Sequence, residues 1–87
     1  MKKFNGRAIL LISGAGNQGD LEDIRARALT ALSPFTLNVR ENQSICLAGR
    51  IIFALDIDCD PAHLSAIEED IRREISSFNC EVASEIV

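Results

Sequence analysis

A chain of 87 residues holds one domain with a single modest core, and at 47% hydrophobic and 25% charged residues it is too apolar for disorder. Its formal net charge of −4 repels phosphate backbones, and the absence of Trp and Tyr removes most stacking platforms for single-stranded RNA, so nucleic acid is not an expected partner. The longest apolar runs, Ala8–Ile12 and Ile51–Leu55, fall far short of the roughly 20 residues that span a bilayer.

At the start, "MKKFNGR" is basic, but no apolar signal segment or small-residue cleavage site follows it. The expectation is a cytoplasmic protein that does not enter a membrane. Ala8–Ser13 reads as a buried strand, short, apolar on both faces and ended by glycine. Asp20 stands at the start of the next element, with Glu22 and Asp23 in its first turn, where acids favour the positive helix end. Leu21, Ile24, Ala28 and Leu32 recur at helical spacing until Ser33-Pro34 stops the run.

From Phe35 the period changes to two. Phe35, Leu37, Val39, Ile45 and Leu47 fall on one face, with Glu41 and Gln43 interrupting it. Ala48-Gly49-Arg50 makes a tight turn, and Ile51–Ile57 is a second, more apolar strand, so 35–57 reads as one β-hairpin. Asp60-Pro61 supplies a helix cap and a proline at the first helical position. Leu64, Ile67, Ile71, Ile75 and Phe78 follow as an apolar stripe, and Cys80, Val82, Ser84 and Ile86 alternate with Glu81, Ala83 and Glu85 in a last, half-buried strand.

The predicted elements are strands at about 7–13, 35–47, 50–58 and 79–86 and helices at about 20–32 and 61–77, all within one domain spanning 1–87. Between the first strand and the first helix lies "GAGNQG", residues 14–19, which matches the G-x-G-x-x-G dinucleotide fingerprint. A dinucleotide fold requires parallel strands joined by crossover helices, whereas here the second strand runs straight into a hairpin. The order βαββαβ instead predicts a ferredoxin-like α+β sandwich, a four-stranded antiparallel sheet with two helices on one face. Its central strands would be the first and third, the two most continuously apolar ("AILLI" and "IIFAL").

On those residues the chain resembles an ACT domain, closest to the amino-terminal regulatory domain of bacterial phosphoserine phosphatases. Gly14 and Gly19 match that family's turn glycines, Gln43 its hairpin glutamine, and Gly49-Arg50-Ile51 its hairpin turn. Gly16, Gln18 and Asp20 depart from it, standing where the family carries Asp, Pro and an apolar residue. The resemblance covers about residues 8–86. It implies a regulatory module that binds a small amino acid, serine or glycine, in the first turn at a domain seam. It also implies a homodimer, and a phosphatase catalytic domain elsewhere.

The ligand-binding candidates are Gly14, Gly16, Asn17, Gln18 and Gly19. Gly19 would let backbone N–H groups at the helix start approach a carboxylate, or would adopt positive φ, and either need makes it irreplaceable. Asn17 and Gln18 could hydrogen-bond an amino-acid head group. Gly6, ahead of the first strand, is expected to accept a side chain. A plain tight turn remains the equal alternative, because Gly16 supplies no carboxylate for an ammonium group and Asp20 would repel an anion.

Other constellations point to structure. Asp56, Asp58 and Asp60 alternate, but Pro61 and Ile67 occupy the positions where a calcium loop needs glycine and a bidentate Glu. They read as a strand's exposed end and a helix cap. Gln18-Gly19 echoes the turn of acylphosphatases, yet Asp23 falls where their phosphate-binding Arg belongs, leaving a small hydrolase as the lesser alternative. Cys46, Cys59 and Cys80 are 13 and 21 residues apart with His63 the lone histidine, so no zinc site or disulfide is expected. His63, Arg25, Arg27, Arg40 and Arg50 read as solvated surface groups. No catalytic residue, metal or cofactor is assigned. Because neither face of the central strands is polar, the sheet face away from the helices should be apolar and should drive self-association. A pure oligomerisation module with an empty turn is the alternative function.

Overall fold

The computed structural model describes residues 6–87. The reading of the basic N-terminal stretch as no signal segment therefore lies largely outside the described residues. The elements run β1 (Gly6–Ala15), α1 (Gln18–Leu32), β2 (Asn38–Leu47), β3 (Arg50–Cys59), a 3-10 turn (Pro61–His63), α2 (Leu64–Glu74) and β4 (Cys80–Ile86). They build one four-stranded antiparallel sheet in the order β2-β3-β1-β4, with both helices on one face. This is the predicted ferredoxin-like sandwich, with the two most apolar strands at its centre.

The core lies between that face and the helices. β1 contributes Ala8, Leu10 and Ile12, and β3 contributes Ile51, Phe53, Leu55, Ile57 and Cys59, all at 2% exposure or less. α1 turns Leu21, Ile24, Ala28 and Leu32 onto them, and α2 turns Leu64, Ile67 and Ile71. Each helix thus buries the stripe that its sequence period marks out. Arg72 of α2 donates to Glu68 and to the Val82 carbonyl, and the Ser84 hydroxyl meets the other Glu68 oxygen, tying α2 to β4 through polar groups at the core's margin.

β2 departs from the simple alternation. Val39 pairs with Ile57 and Glu41 with Asp56, so Arg40 is an extra residue in a β-bulge. A bulge reverses which face each later residue takes. Beyond it Asn42, Ser44 and Cys46 stand beside the helix-facing Leu55, Phe53 and Ile51, while Glu41, Gln43, Ile45 and Leu47 join the open face. Val39 and Leu47 are therefore on opposite faces, correcting the single face expected for residues 35–47. Phe35 and Leu37 precede the strand and pack against the core from the loop. Glu41 and Gln43, which broke the apparent pattern, mark where the phase changes.

The hairpin turn is closed by Ala48 at φ 52° and Gly49 at φ 76°. Two successive positive values suit a two-residue turn between right-twisted strands. Gly49 takes this without cost, whereas Ala48 carries local strain.

At the opposite end of the open face, Arg7 donates to both Asp56 oxygens at 2.9 and 2.7 Å, and Arg40 reaches Asp58 at 3.3 Å. The acids of the alternating run thus pair with arginines, and Asp60 caps the following turn by accepting from the Ala62 N–H at 3.0 Å. Arg40 is correspondingly a partner in a charge network and not merely a solvated cation. The Arg7 hydrogen bonds hold the Asp56 carboxyl below the usual carboxylate range, against a smaller opposing effect of desolvation. A lowered folded pKa gives stability that is present above the unfolded value and lost as pH falls through the folded one. Arg7→Gln should therefore narrow the gap between stability at neutral pH and in acid. Chemical denaturation at pH 7 and at pH 3 checks this, and an unchanged difference would remove the pair from the acid response.

Candidate functional site

The first turn is held from two sides. The Gly16 N–H donates to the Gly49 carbonyl at 2.9 Å, binding the β1–α1 turn to the hairpin tip. The Ala15 N–H donates to the Asn79 carbonyl at 3.4 Å, binding it to the segment before β4. Gly14 lies so close to that segment that a Cβ would run into the Asn79 carbonyl oxygen and come within 2.8 Å of the Cys80 Cα. Real Cβ atoms do not tolerate such distances, so glycine at 14 is a packing requirement.

The helix start is arranged differently from expectation. α1 begins at Gln18, with Asn17 as its cap. The Asn17 side chain accepts from the Asp20 N–H at 2.9 Å, and the Asp20 carboxylate accepts from the Asn17 N–H at 3.0 Å. This reciprocal capping box satisfies orphan donors that an external anion would otherwise use. The Gln18 amide donates to Glu22 at 3.1 Å. Asn17 and Gln18 therefore spend their side chains inside the helix's first turn. Gly19 is an ordinary helical residue: the glycine with positive φ is Gly49, and a Cβ at 19 would meet nothing closer than Asn17 Oδ1 at 3.3 Å. The positive φ expected as one reason for Gly19 is not found there, and within the turn the position that packing reserves for glycine is Gly14. Gly6 is not a free position either, since a Cβ there would lie 2.6 Å from Pro61 Cγ.

Beside this turn opens a cleft of about 200 Å³ lined by Ser13, Gly14, Ala15, Arg50, Asn79 and Glu81. Sheet register explains the convergence: Ser13 pairs with Glu81 across the β1–β4 ladder, and Ala15 pairs with Arg50 across the β1–β3 ladder. A cation and an anion from strands on either side of β1 thus flank one small polar hollow. Of the five sequence candidates only Gly14 lines it. Arg50 forms no ion pair among the described residues, so its guanidinium is free to meet an incoming carboxylate. Arg50 and Glu81 stand 31 positions apart in the sequence, and only the strand order, which sets β4 beside β1, brings them to one end of the sheet.

The remaining candidate groups serve packing. Cys46, Cys59 and Cys80 are free thiols; burial is the main cause raising the thiol pKa of Cys59 and Cys80, which keeps both protonated. Arg27 stacks over Phe78 at 5.8 Å, and the His63 ring lies 6.5 Å from that of Phe35. Asp23 is exposed on α1 and Asp20 closes the turn, so the position where an acylphosphatase holds phosphate presents carboxylates here. No helix among the described residues is long and apolar enough to cross a membrane.

No protein-family model and no curated protein sequence matches the chain. Solved structures do match its fold. Formyltetrahydrofolate deformylase from Burkholderia mallei aligns with a TM-score of 0.74 at 13% identity, covering 93% of this chain and 28% of the deformylase. An ACT domain protein from Streptococcus pneumoniae aligns at 0.69 and 13% identity, covering 93% of this chain and 89% of its own. The ACT domain from GTP pyrophosphokinase of Chlorobium tepidum aligns at 0.67 and 17% identity, covering 92% and 97%. The chain has the ferredoxin-like fold of ACT-type domains, and it spans little more than a quarter of the deformylase.

Overpacking on the scale seen at Gly14 costs about 1–3 kcal/mol or more, whereas an alanine in a helical turn gains roughly 1 kcal/mol over glycine. Gly14→Ala should lower the denaturation midpoint clearly, and Gly19→Ala should hold or raise it. Equal midpoints for the two variants would overturn this assignment of the essential glycine.

Proposed function

We propose that the chain is a regulatory module of the ACT type that binds a free α-amino acid in the cleft beside its first turn. The observation that carries this reading is the placement of Arg50, Glu81 and Ser13 on one small hollow. An α-amino acid bears a carboxylate and an ammonium group on a single carbon. Arginine forks onto carboxylates with two parallel hydrogen bonds, and a glutamate accepts from ammonium. The close packing at Gly14 and the Gly16–Gly49 hydrogen bond hold the hollow's rim in place, so little ordering cost accompanies binding. In a longer protein the module would regulate an adjoining catalytic unit, and the sequence resemblance implies a phosphoserine phosphatase unit.

Calorimetric titration with each of the twenty common amino acids tests this directly. At least one should release or absorb heat with saturable binding, and Arg50→Ala or Glu81→Ala should weaken it by about tenfold or more, the scale for losing a charge-assisted contact. Silence across all twenty removes the reading.

A second reading, assembly without a ligand, is favoured by one observation. Leu11, Ile45, Leu47 and Ile52 are 40%, 52%, 71% and 38% exposed, and all stand on the sheet face away from the helices. Large apolar side chains gathered on one face mark interaction surfaces, and a second copy in a two-fold dimer is the simplest cover. Light scattering at micromolar concentration should then show twice the chain mass. A monodisperse species near 9.5 kDa eliminates the dimer.

A further inference from the structure

A second depression lies one pair step along the ladder from the polar cleft. Along the β1–β4 ladder the pairs Ser13–Glu81, Leu11–Ala83 and Ile9–Glu85 follow one another on the open face. The first pair lines the cleft; the next two, with Ser84, line a groove of about 310 Å³. Ser84 is turned to the other side of the sheet, where its hydroxyl meets Glu68. The Leu11–Ala83 pair therefore forms the end of the groove nearer the cleft, and the Ile9–Glu85 pair its far end. Successive pairs on one face lie about 6.8 Å apart, two strand residues, so the groove begins one pair step beyond the cleft.

We propose that the amino acid held between Arg50 and Glu81 carries an apolar side chain of the leucine or methionine kind, lying in the groove over Leu11 and Ala83. The proposal rests on the amino-acid reading of the cleft and specifies which ligand it takes. With the carboxylate at Arg50 and the ammonium at Glu81, the α-carbon sits at the level of Ser13, and its side chain has an apolar track leading away from it. Leu11 at 40% exposure is then covered by the ligand instead of by water. Serine and glycine, which the sequence resemblance implies, would leave the track empty. Aspartate and glutamate would bring a carboxylate toward Glu85. A second copy of the chain could also cover the groove, but the opposed charges at its end match the two charges of one small zwitterion.

Calorimetry with L-leucine, L-methionine, L-serine, glycine, L-lysine and L-glutamate tests the specificity. Leucine or methionine should bind at least about tenfold tighter than serine or glycine, the usual worth of added methylenes in an apolar site. Ala83→Leu, a substitution at an exposed strand position, should fill the groove and remove the advantage of leucine over glycine. Circular-dichroism melting confirms that the variant is folded. Serine or glycine binding as tightly as leucine overturns this inference and leaves the cleft reading standing. So does lysine binding tighter than leucine, or a leucine preference that survives Ala83→Leu. Binding of none of the twenty common amino acids overturns both.

Discussion

Two helices can cover only one face of a four-stranded sheet, and this asymmetry organises the whole molecule. The buried side chains of β1 and β3 all point to the covered face. Hydrophobic burial there supplies the main driving force, with each fully buried large apolar side chain contributing roughly 1.5–3 kcal/mol. What stands on the other face is released from that demand. It can be charged, as at Arg7, Asp56 and Arg40, or apolar and available, as at Leu11 and Ile52. The functional question is accordingly a question about the uncovered face and its end.

The bulge at Arg40 shows the constraint operating inside a single strand. Without it, Ile45 and Leu47 would face the helices and Ser44 would face water. With it, the hairpin turns small polar residues toward the helix side, at the sheet edge beyond the helices' full cover, and sends Ile45 and Leu47 to the open face. The same device brings Arg40 to Asp58, so a positive charge sits where an edge strand would otherwise offer unpaired backbone groups. One inserted residue thus enlarges the open apolar surface and guards its edge.

Much of this is written locally in the sequence. Element order follows from the spacing of Leu21, Ile24 and Ala28, of Ile67, Ile71 and Ile75, and from the two isoleucine-rich strands. The centre of the sheet follows from "AILLI" and "IIFAL", the two most continuously apolar strands, which lie between β2 and β4. The capping box is also legible, since Asn17 and Asp20 have its three-residue spacing. The bulge left only the misplaced Glu41 and Gln43 as a trace. The cleft left none, because Arg50, Glu81 and Ser13 are separated in sequence and meet only once β4 has paired with β1. Local periodicity encodes elements; convergence of charges depends on strand order, which no single segment carries.

The glycine-rich turn shows why a G-x-G-x-x-G pattern before a helix need not present open donors to an anion. A glycine turn before a helix attracts an anion when its N–H groups are unpaired and the helix dipole is unopposed. Here Asp20 supplies a carboxylate from within, accepting the Asn17 N–H, while the Gly16 N–H is taken by Gly49. A second negative group at that spot would meet Asp20 at close range. On the other side of the turn Arg50 presents a guanidinium with no carboxylate of the described chain within 4.0 Å. The glycines shape the wall from behind: Gly14 admits the Asn79 segment against β1, and that contact sets Glu81 opposite Ser13. The turn thus contributes geometry, and the two flanking strands contribute charge.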